Sequence, residues 1–368
     1  MQSPFVHFIV SGDVAILGID HPPVNALGAA QRAALDQALS RAEQDRGIAA
    51  VVIAGCGRMF SGGGDIREIG RPDAPGTVGM AALARRVETF SKPVVAALHG
   101  RCIGGGVLLS MACHARVGAG DSVLMLPELN LGLVPGAGGT QRLPRLVGLE
   151  NALDMVIRAQ AWDAPTARER GLLDEIAASG EGEDAPAMLA ASPVAAACRR
   201  ARAIAAGVLP WRRTAQLAVA PARDGLREQY CRVAAACFPE RQAGGEAVDL
   251  ILAAARLAFE DGMQAERECF ARLAGGSQAQ SLIHLFFAER ALAKADDAPG
   301  PDARRAIAAR FLQAADDTRP PFARWVGIAR SCLAEGLATR AEFIDAIAVK
   351  DCGFPALHGG PLHYAGQH

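Results

Sequence analysis

Lys92-Pro93-Val94-Val95-Ala96-Ala97-Leu98-His99-Gly100-Arg101-Cys102-Ile103-Gly104-Gly105-Gly106 carries the plan of the first half of this chain. Val94 to Leu98 is an unbroken apolar run of the buried-strand type, and a glycine triplet follows it closely. Working outward, Ala50-Val51-Val52-Ile53-Ala54 is a second such run. Toward the start, His7-Phe8-Ile9-Val10 and Val14-Ala15-Ile16-Leu17, divided by Ser11-Gly12-Asp13, predict an opening hairpin. Residues 31–43 and 78–90 carry helical periodicity between these runs. Strand-like and helical runs alternate to about Ala178, which predicts an α/β architecture.

Past Ser179-Gly180-Glu181-Gly182-Glu183-Asp184 the texture changes to alanine-rich and all-helical. Residues 247–273 place Val248, Ile251, Leu252, Ala255 and Phe259 on one stripe, the pattern of an amphipathic helix that needs a partner surface. Asp296-Asp297-Ala298-Pro299-Gly300-Pro301-Asp302 reads as a second linker. A helix through Trp325 and Leu333 follows, then a Gly/Pro-rich end. The expected division is therefore residues 1–178, a helical region at 185–295 and a helical tail at 302–368.

Composition bounds the function. The 368 residues include 51% hydrophobic and 21% charged, with a formal net charge of −1. Nothing in that balance draws the chain to nucleic acid or an anionic membrane. The basic runs Arg199, Arg200, Arg202 and Arg212, Arg213 are read as solvated helix faces. Nine cysteines, an odd number, show no C-x-x-C pair; reduced thiols and no metal site are expected. The opening Met1-Gln2-Ser3-Pro4-Phe5 lacks the basic and apolar regions of a signal peptide, and no apolar run reaches membrane-spanning length. A cytoplasmic protein is the expectation.

Three glycine clusters stand out: Gly62-Gly63-Gly64, Gly104-Gly105-Gly106 and Gly136-Ala137-Gly138-Gly139. Glycine at such turns allows positive φ and close approach of backbone to ligand, and N–H groups there can face developing negative charge. A dinucleotide reading of Gly136-x-Gly138 fails, because Gln141 holds the third glycine position and Pro135 rather than a strand precedes it. NAD is not expected. His99 and His114 lie in no triad or metal-ligand spacing and are read as packing residues.

Taken together, Phe60-Ser61-Gly62-Gly63-Gly64-Asp65-Ile66, the Lys92 to Gly106 stretch and Leu126-Pro127-Glu128-Leu129-Asn130-Leu131-Gly132-Leu133-Val134-Pro135-Gly136-Ala137-Gly138-Gly139-Thr140-Gln141-Arg142-Leu143 resemble the crotonase (enoyl-CoA hydratase/isomerase) family. His21-Pro22-Pro23-Val24-Asn25-Ala26-Leu27 resembles that family's CoA-contacting loop. The likeness covers roughly residues 5 to 178 and implies a spiral of ββα turns. It implies an acyl-CoA thioester as substrate, its carbonyl held by two backbone N–H groups, which motif position assigns to Gly62 and Gly105. Val24, Ala26, Gly64, Ile66, Arg67, Pro135 and Gly136 are the implied substrate contacts, Arg67 toward a CoA phosphate. Asp65 is read as a helix cap.

The hydratases of the family use two glutamates. Here the second is Glu128, while the first position holds Leu108. Water addition needs a held, activated water and a delivered proton, work that two carboxylates divide. One carboxylate suffices to move a proton between two carbons of an allylic enolate. The expectation is Δ3,Δ2-enoyl-CoA isomerisation through Glu128, with hydratase activity and an idle acyl-CoA-binding subunit as alternatives. Coenzyme A enters only as part of the substrate.

In the helical half, Glu266-Arg267-Glu268-Cys269-Phe270 and Phe286-Phe287-Ala288-Glu289-Arg290 resemble the connecting segment of multifunctional β-oxidation enzymes, and residues 344–362 resemble the end of their 3-hydroxyacyl-CoA dehydrogenase part. The nucleotide-binding domain between them is missing. Helices that replace subunit contacts imply a monomer rather than a trimer.

Overall fold

A computed structural model of the chain describes residues 4–71, 76–178, 187–313 and 322–367. The break expected at Ser179 to Asp184 lies outside the described residues. Contacts divide the chain into two units, Met1–Leu129 with Val134–Ala271, and Asn130–Leu133 with Arg272–His368. The division falls inside a helix, at neither composition break.

The expected hairpin opens the first unit as β1 (Val6–Ser11) and β2 (Val14–Ile19), paired from Val6 with Ile19 to Ser11 with Val14. Helix α1 (Ala29–Gln44) leads to β3 (Ala50–Gly55), and α2 (Met80–Glu88) to β4 (Val94–Leu98). Next come β5 (Arg101–Ile103), α3 (Gly105–Ala112), β6 (Ala115–Gly118) and β7 (Val123–Met125). Helices α4 (Gly139–Val147) and α5 (Leu149–Ile157), β8 (Trp162–Asp163), α6 (Ala164–Glu169) and β9 (Glu175–Ile176) complete the α/β part.

Two sheets result. One has the order β1-β2-β3-β4-β6-β9, parallel except for the opening hairpin, and the other the order β5-β7-β8. The chain alternates between them: β4, β5, α3, then β6, β7, α4. Earlier turns repeat this with single residues, since Ser61 bridges to Cys102 and Leu27 to Gly64. This is the spiral of ββα turns, and it stacks the residues after each large-sheet strand beside one another.

The strands read as continuous apolar runs because both faces of the large sheet are covered. Val14, Ile16, Val52, Ala54, Val95, Ala97 and Val117 pack against helix α7 (Val194–Ala205) through Val194, Ala197, Cys198, Ala201 and Ile204. That helical spacing follows the 3.6-residue period. Two of its basic residues are ion-paired rather than simply solvated: Arg200 Nη1 lies 2.9 Å from Glu175 Oε2, and Arg202 Nε 2.8 Å from Asp13 Oδ1.

The stripe over 247–273 forms two helices instead of one, α9 (Gln242–Ala253) and α10 (Phe259–Ala274), after α8 (Leu226–Cys237). The turn at 254–258 swings Phe259 under the guanidinium groups of Arg142 and Arg145, each 5.1 Å from its ring centre. Glu260 and Asp261 in the first turn of α10 favour a fresh helix start there.

The second unit has its own core. Helices α11 (Ser277–Lys294), α12 (Pro301–Gln313), α13 (Phe322–Ala334), α14 (Ala341–Cys352) and α15 (Pro361–Gln367) bury Phe311, Trp325, Phe343 and Phe354 together. Asp345, 1% exposed, accepts the N–H groups of Leu362 and His363 and so caps α15. No helix among the described residues is long and apolar enough to cross a membrane.

Candidate active site

The His21 to Leu27 loop is fixed by one buried side chain. Asn25 donates through Nδ2 to the carbonyls of Cys56 and Met59 (2.8 and 2.9 Å) and accepts the His21 N–H at 2.9 Å. Its φ of 50° is a conformation that asparagine tolerates better than most residues. The loop then zips onto the first glycine cluster: Leu27 N–H donates to the Gly63 carbonyl (2.8 Å), and Ser61 Oγ donates to the Asn25 carbonyl (2.7 Å).

The same zipping corrects one expected donor. The Gly62 N–H donates to the Val24 carbonyl at 2.7 Å, so it is already spent on the loop. Gly64, two residues on, is exposed, and a Cβ there would meet nothing within 4 Å. Among the described residues its N–H has no acceptor. Gly105 lies directly beside it: a methyl on Gly105 would sit 2.7 Å from the Gly64 nitrogen. Gly105 is the first residue of α3, entered through Gly104 at φ +49°, and its N–H likewise has no acceptor among the described residues. Two amides without an acceptor, from separate turns, therefore lie side by side, and one of them carries the positive end of a helix dipole.

Glu128 reaches the same place from the turn after β7. Its Oε1 lies 3.1 Å from where a Cβ on Gly104 would stand, and its Oε2 is buried with no hydrogen-bond partner. Burial pushes the Glu128 carboxyl up to about 7, the nearby Glu266 charge adds to this, and a bond from its own backbone pulls the other way. A carboxyl so placed is half-ionised near neutral pH and can both take and return a proton.

Leu108 sits one turn into α3, its N–H on the Gly104 carbonyl, and is 5% exposed. Its Cδ2 lies 2.6 Å from where a Cβ on Gly139 would stand, and the Pro135 Cβ lies 2.8 Å from that point. Leu108 is thus a packed apolar contact. Gly136 faces the Phe270 ring, 3.2 Å from its Cβ position.

The remaining expected residues are placed as follows. Val24 and Ala26 lie in the clamped loop, Ala26 through a contact of its carbonyl with His21 Nδ1 (3.2 Å). Asp65 caps the short turn beginning at Ile66 by accepting the Arg67 N–H (3.0 Å). The exposed Arg67 guanidinium turns back onto the Asp65 carboxylate (3.0 Å). His99 meets the Gly57 carbonyl at 3.0 Å, and His114 accepts the Val94 N–H at 2.8 Å; both are buried packing residues. His7 and Asp20 lie 2.8 Å apart beside Cys56, whose thiol burial pushes up to about 12, so the trio reads as a hydrogen-bonded pair over a protonated thiol.

Sequence reasoning gave no role to Glu266, which is 2% exposed and accepts from Gly138 N (2.6 Å), Thr140 N (2.9 Å) and Thr140 Oγ1 (2.7 Å). The signal was there: an acidic residue on the stripe of Phe259, Met263 and Phe270, where the helical period calls for an apolar one.

The profile of the family described as enoyl-CoA hydratase/isomerase matches residues 10–206. A peroxisomal bifunctional enzyme of Danio rerio is 35% identical over 293 residues, 78% of this chain and 38% of that protein. The chain thus spans about two fifths of the length of that relative. A probable enoyl-CoA hydratase of Bacillus subtilis is 43% identical over 175 residues, 46% of this chain and 67% of that protein. The crystal structure of an enoyl-CoA hydratase/isomerase from Pseudoalteromonas atlantica covers 77% of this chain and 97% of its own at a TM-score of 0.56 and 22% identity, a likeness of fold. The chain belongs to the enoyl-CoA hydratase/isomerase family.

Proposed function

We propose that this chain is a Δ3,Δ2-enoyl-CoA isomerase whose acid/base is Glu128 and whose oxyanion donors are the N–H groups of Gly64 and Gly105. The observation that carries this is the buried Glu128 carboxylate beside the Gly104–Gly105 turn, with a packed Leu108 one turn into the helix that follows. In the reaction Glu128 takes a proton from the carbon next to the thioester. The electron pair moves onto the thioester oxygen, where the two amides stabilise it; each such donor is worth about 3 kcal/mol of barrier. The dienolate then takes the same proton back at its γ-carbon, and the double bond moves from β,γ to α,β. Proton transfer alone balances the step, so coenzyme A is needed only as the substrate's handle, and the clamped His21 to Leu27 loop is its proposed seat.

The hydratase reading draws on the names of the relatives, but it requires a second group to hold water where Leu108 stands. An idle acyl-CoA-binding role is the third reading. Purified protein offered a 3-enoyl-CoA and a 2-enoyl-CoA, with a Glu128→Gln variant in parallel, separates them. Conversion of the first substrate, lost in the variant, is the expected result. Hydration of the second as the main reaction, or binding with no turnover of either, would refute the proposal.

A further inference from the structure

Among the described residues the Glu128 Oε2 is buried with no hydrogen-bond partner, so the aim of this carboxyl depends on the short 3-10 turn that carries it, Glu128–Leu131. Such a turn leaves its last carbonyls without an N–H of its own helix. Here Gly132, at φ +69°, leads the chain out directly after it. Leu129 is 1% exposed, and a carbonyl left unpaired in that setting is costly. Its partner comes from 112 residues further along: the Arg241 guanidinium donates through Nη1 to the Leu129 carbonyl at 2.8 Å. Three features hold that guanidinium in place. It lies over the Phe238 ring, 5.1 Å from the ring centre. Arg241 is the N-cap of α9, whose Ala247, Val248 and Ile251 are buried, and Gln141 of α4 fastens α9 by donating to the Leu250 carbonyl at 3.0 Å. Glu240, just before it in the turn between α8 and α9, has a φ of +62°, a left-handed conformation uncommon for glutamate.

We infer that Arg241 is a positioning residue for Glu128: a cation at the start of α9 anchors the turn from which the acid/base acts. The bond runs from a full positive charge to a carbonyl at the negative end of a short helix, which makes it stronger than a neutral one. Arg241 acts through the backbone next to Glu128 and needs no contact with substrate. A side chain with no partner at its own tip keeps its direction only if its backbone is held, and reaction geometry tolerates little drift. The purpose of the anchor rests on Glu128 being the acid/base of the isomerase reading; the anchor itself does not. Arg241 lies beyond residues 10–206, the stretch that the family profile matches, so the site draws one of its supports from the helical region that follows.

The test pairs amide hydrogen exchange with kinetics in the full chain. In Arg241→Ala the amides of residues 128–131 are expected to exchange about tenfold faster, the scale of one lost charge-assisted hydrogen bond, while β3 and β4 exchange as in the parent. The kcat for a 3-enoyl-CoA is expected to fall about 10²-fold with KM little moved, the effect of a reacting group displaced by an ångström. Guanidinium ion at millimolar concentration, far below denaturing levels, is expected to restore slow exchange and part of kcat, a rescue that a general loss of stability does not allow. Arg241→Lys keeps the cation on a shorter reach; it is expected to change both readouts in the same direction by less, and it carries the test if the alanine variant does not fold. Unchanged exchange at 128–131, or exchange raised throughout the chain with kcat and KM shifted together and no rescue, overturns the inference. Local exchange that follows Arg241 and guanidinium in a protein that turns over neither enoyl-CoA would defeat only the isomerase reading. Isomerisation by the parent with Arg241→Ala indifferent in both readouts would defeat only this one.

Discussion

Replacing Glu128 by glutamine is expected to make the protein more stable at alkaline pH while removing its activity. The fold raises the Glu128 carboxyl from its ordinary 4.5 to about 7, chiefly by burial. A raised carboxyl means that the native state holds its proton more tightly than the unfolded chain. Stability is therefore lost as pH rises from 4.5 and has been lost in full once pH passes 7. The full cost of keeping the ionised group in place is about 3 kcal/mol. Glutamine has the same shape and no charge at any pH, so the variant does not pass through this window. The advantage of Glu128→Gln over the parent should grow by about 2 kcal/mol between pH 5 and pH 8. Any constant penalty for the buried amide cancels in that comparison. Urea denaturation of both proteins at the two pH values measures it, provided the m-values agree. A difference between the two proteins that is the same at both pH values would refute the reasoning, since Glu128 would then titrate no differently folded and unfolded.

The proposed isomerase activity should fall about tenfold per pH unit below about pH 7, as Glu128 becomes protonated and can no longer take a proton; a pH–rate profile of kcat reads this. Gly105→Ala places a methyl 2.7 Å from the Gly64 nitrogen and should lower kcat by about 10²- to 10³-fold through displaced amides, with KM moved far less. Glu88→Ala strands the Arg142 guanidinium, 1% exposed, without its partner, and should cost about 3–5 kcal/mol in chemical denaturation. Leu108→Glu should introduce measurable hydration of a 2-enoyl-CoA, assayed by loss of the conjugated thioester absorbance, together with a loss of stability from a carboxylate pressed against Gly139.

Some of this was legible in the residues alone. The apolar runs at 50–54 and 94–98 required strands buried on both faces, because no alternation offered a polar face to water. The motifs around Gly63, Gly105 and Glu128 carried the resemblance to the family that the comparisons bear out. These are statements about residue type in local order, which a sequence contains in full.

What the sequence left undecided depended on register and on partners distant along the chain. Gly62 and Gly64 look alike in a row of three glycines; only the bond from the Gly62 N–H to the Val24 carbonyl decided which amide is spent and which is free. The stripe over 247–273 was visible, but its break after Ala253 followed from where Arg142 and Arg145 needed Phe259. Glu266 could be seen as an acid on an apolar face, yet its partners Gly138 and Thr140 lie more than a hundred residues earlier. The order of residues specifies which chemistry a site can hold. Which hydrogen bonds are already satisfied, and which charges act across a dry interior, is fixed only when distant segments pack, because amides and carboxylates are directed by their nearest neighbours in space.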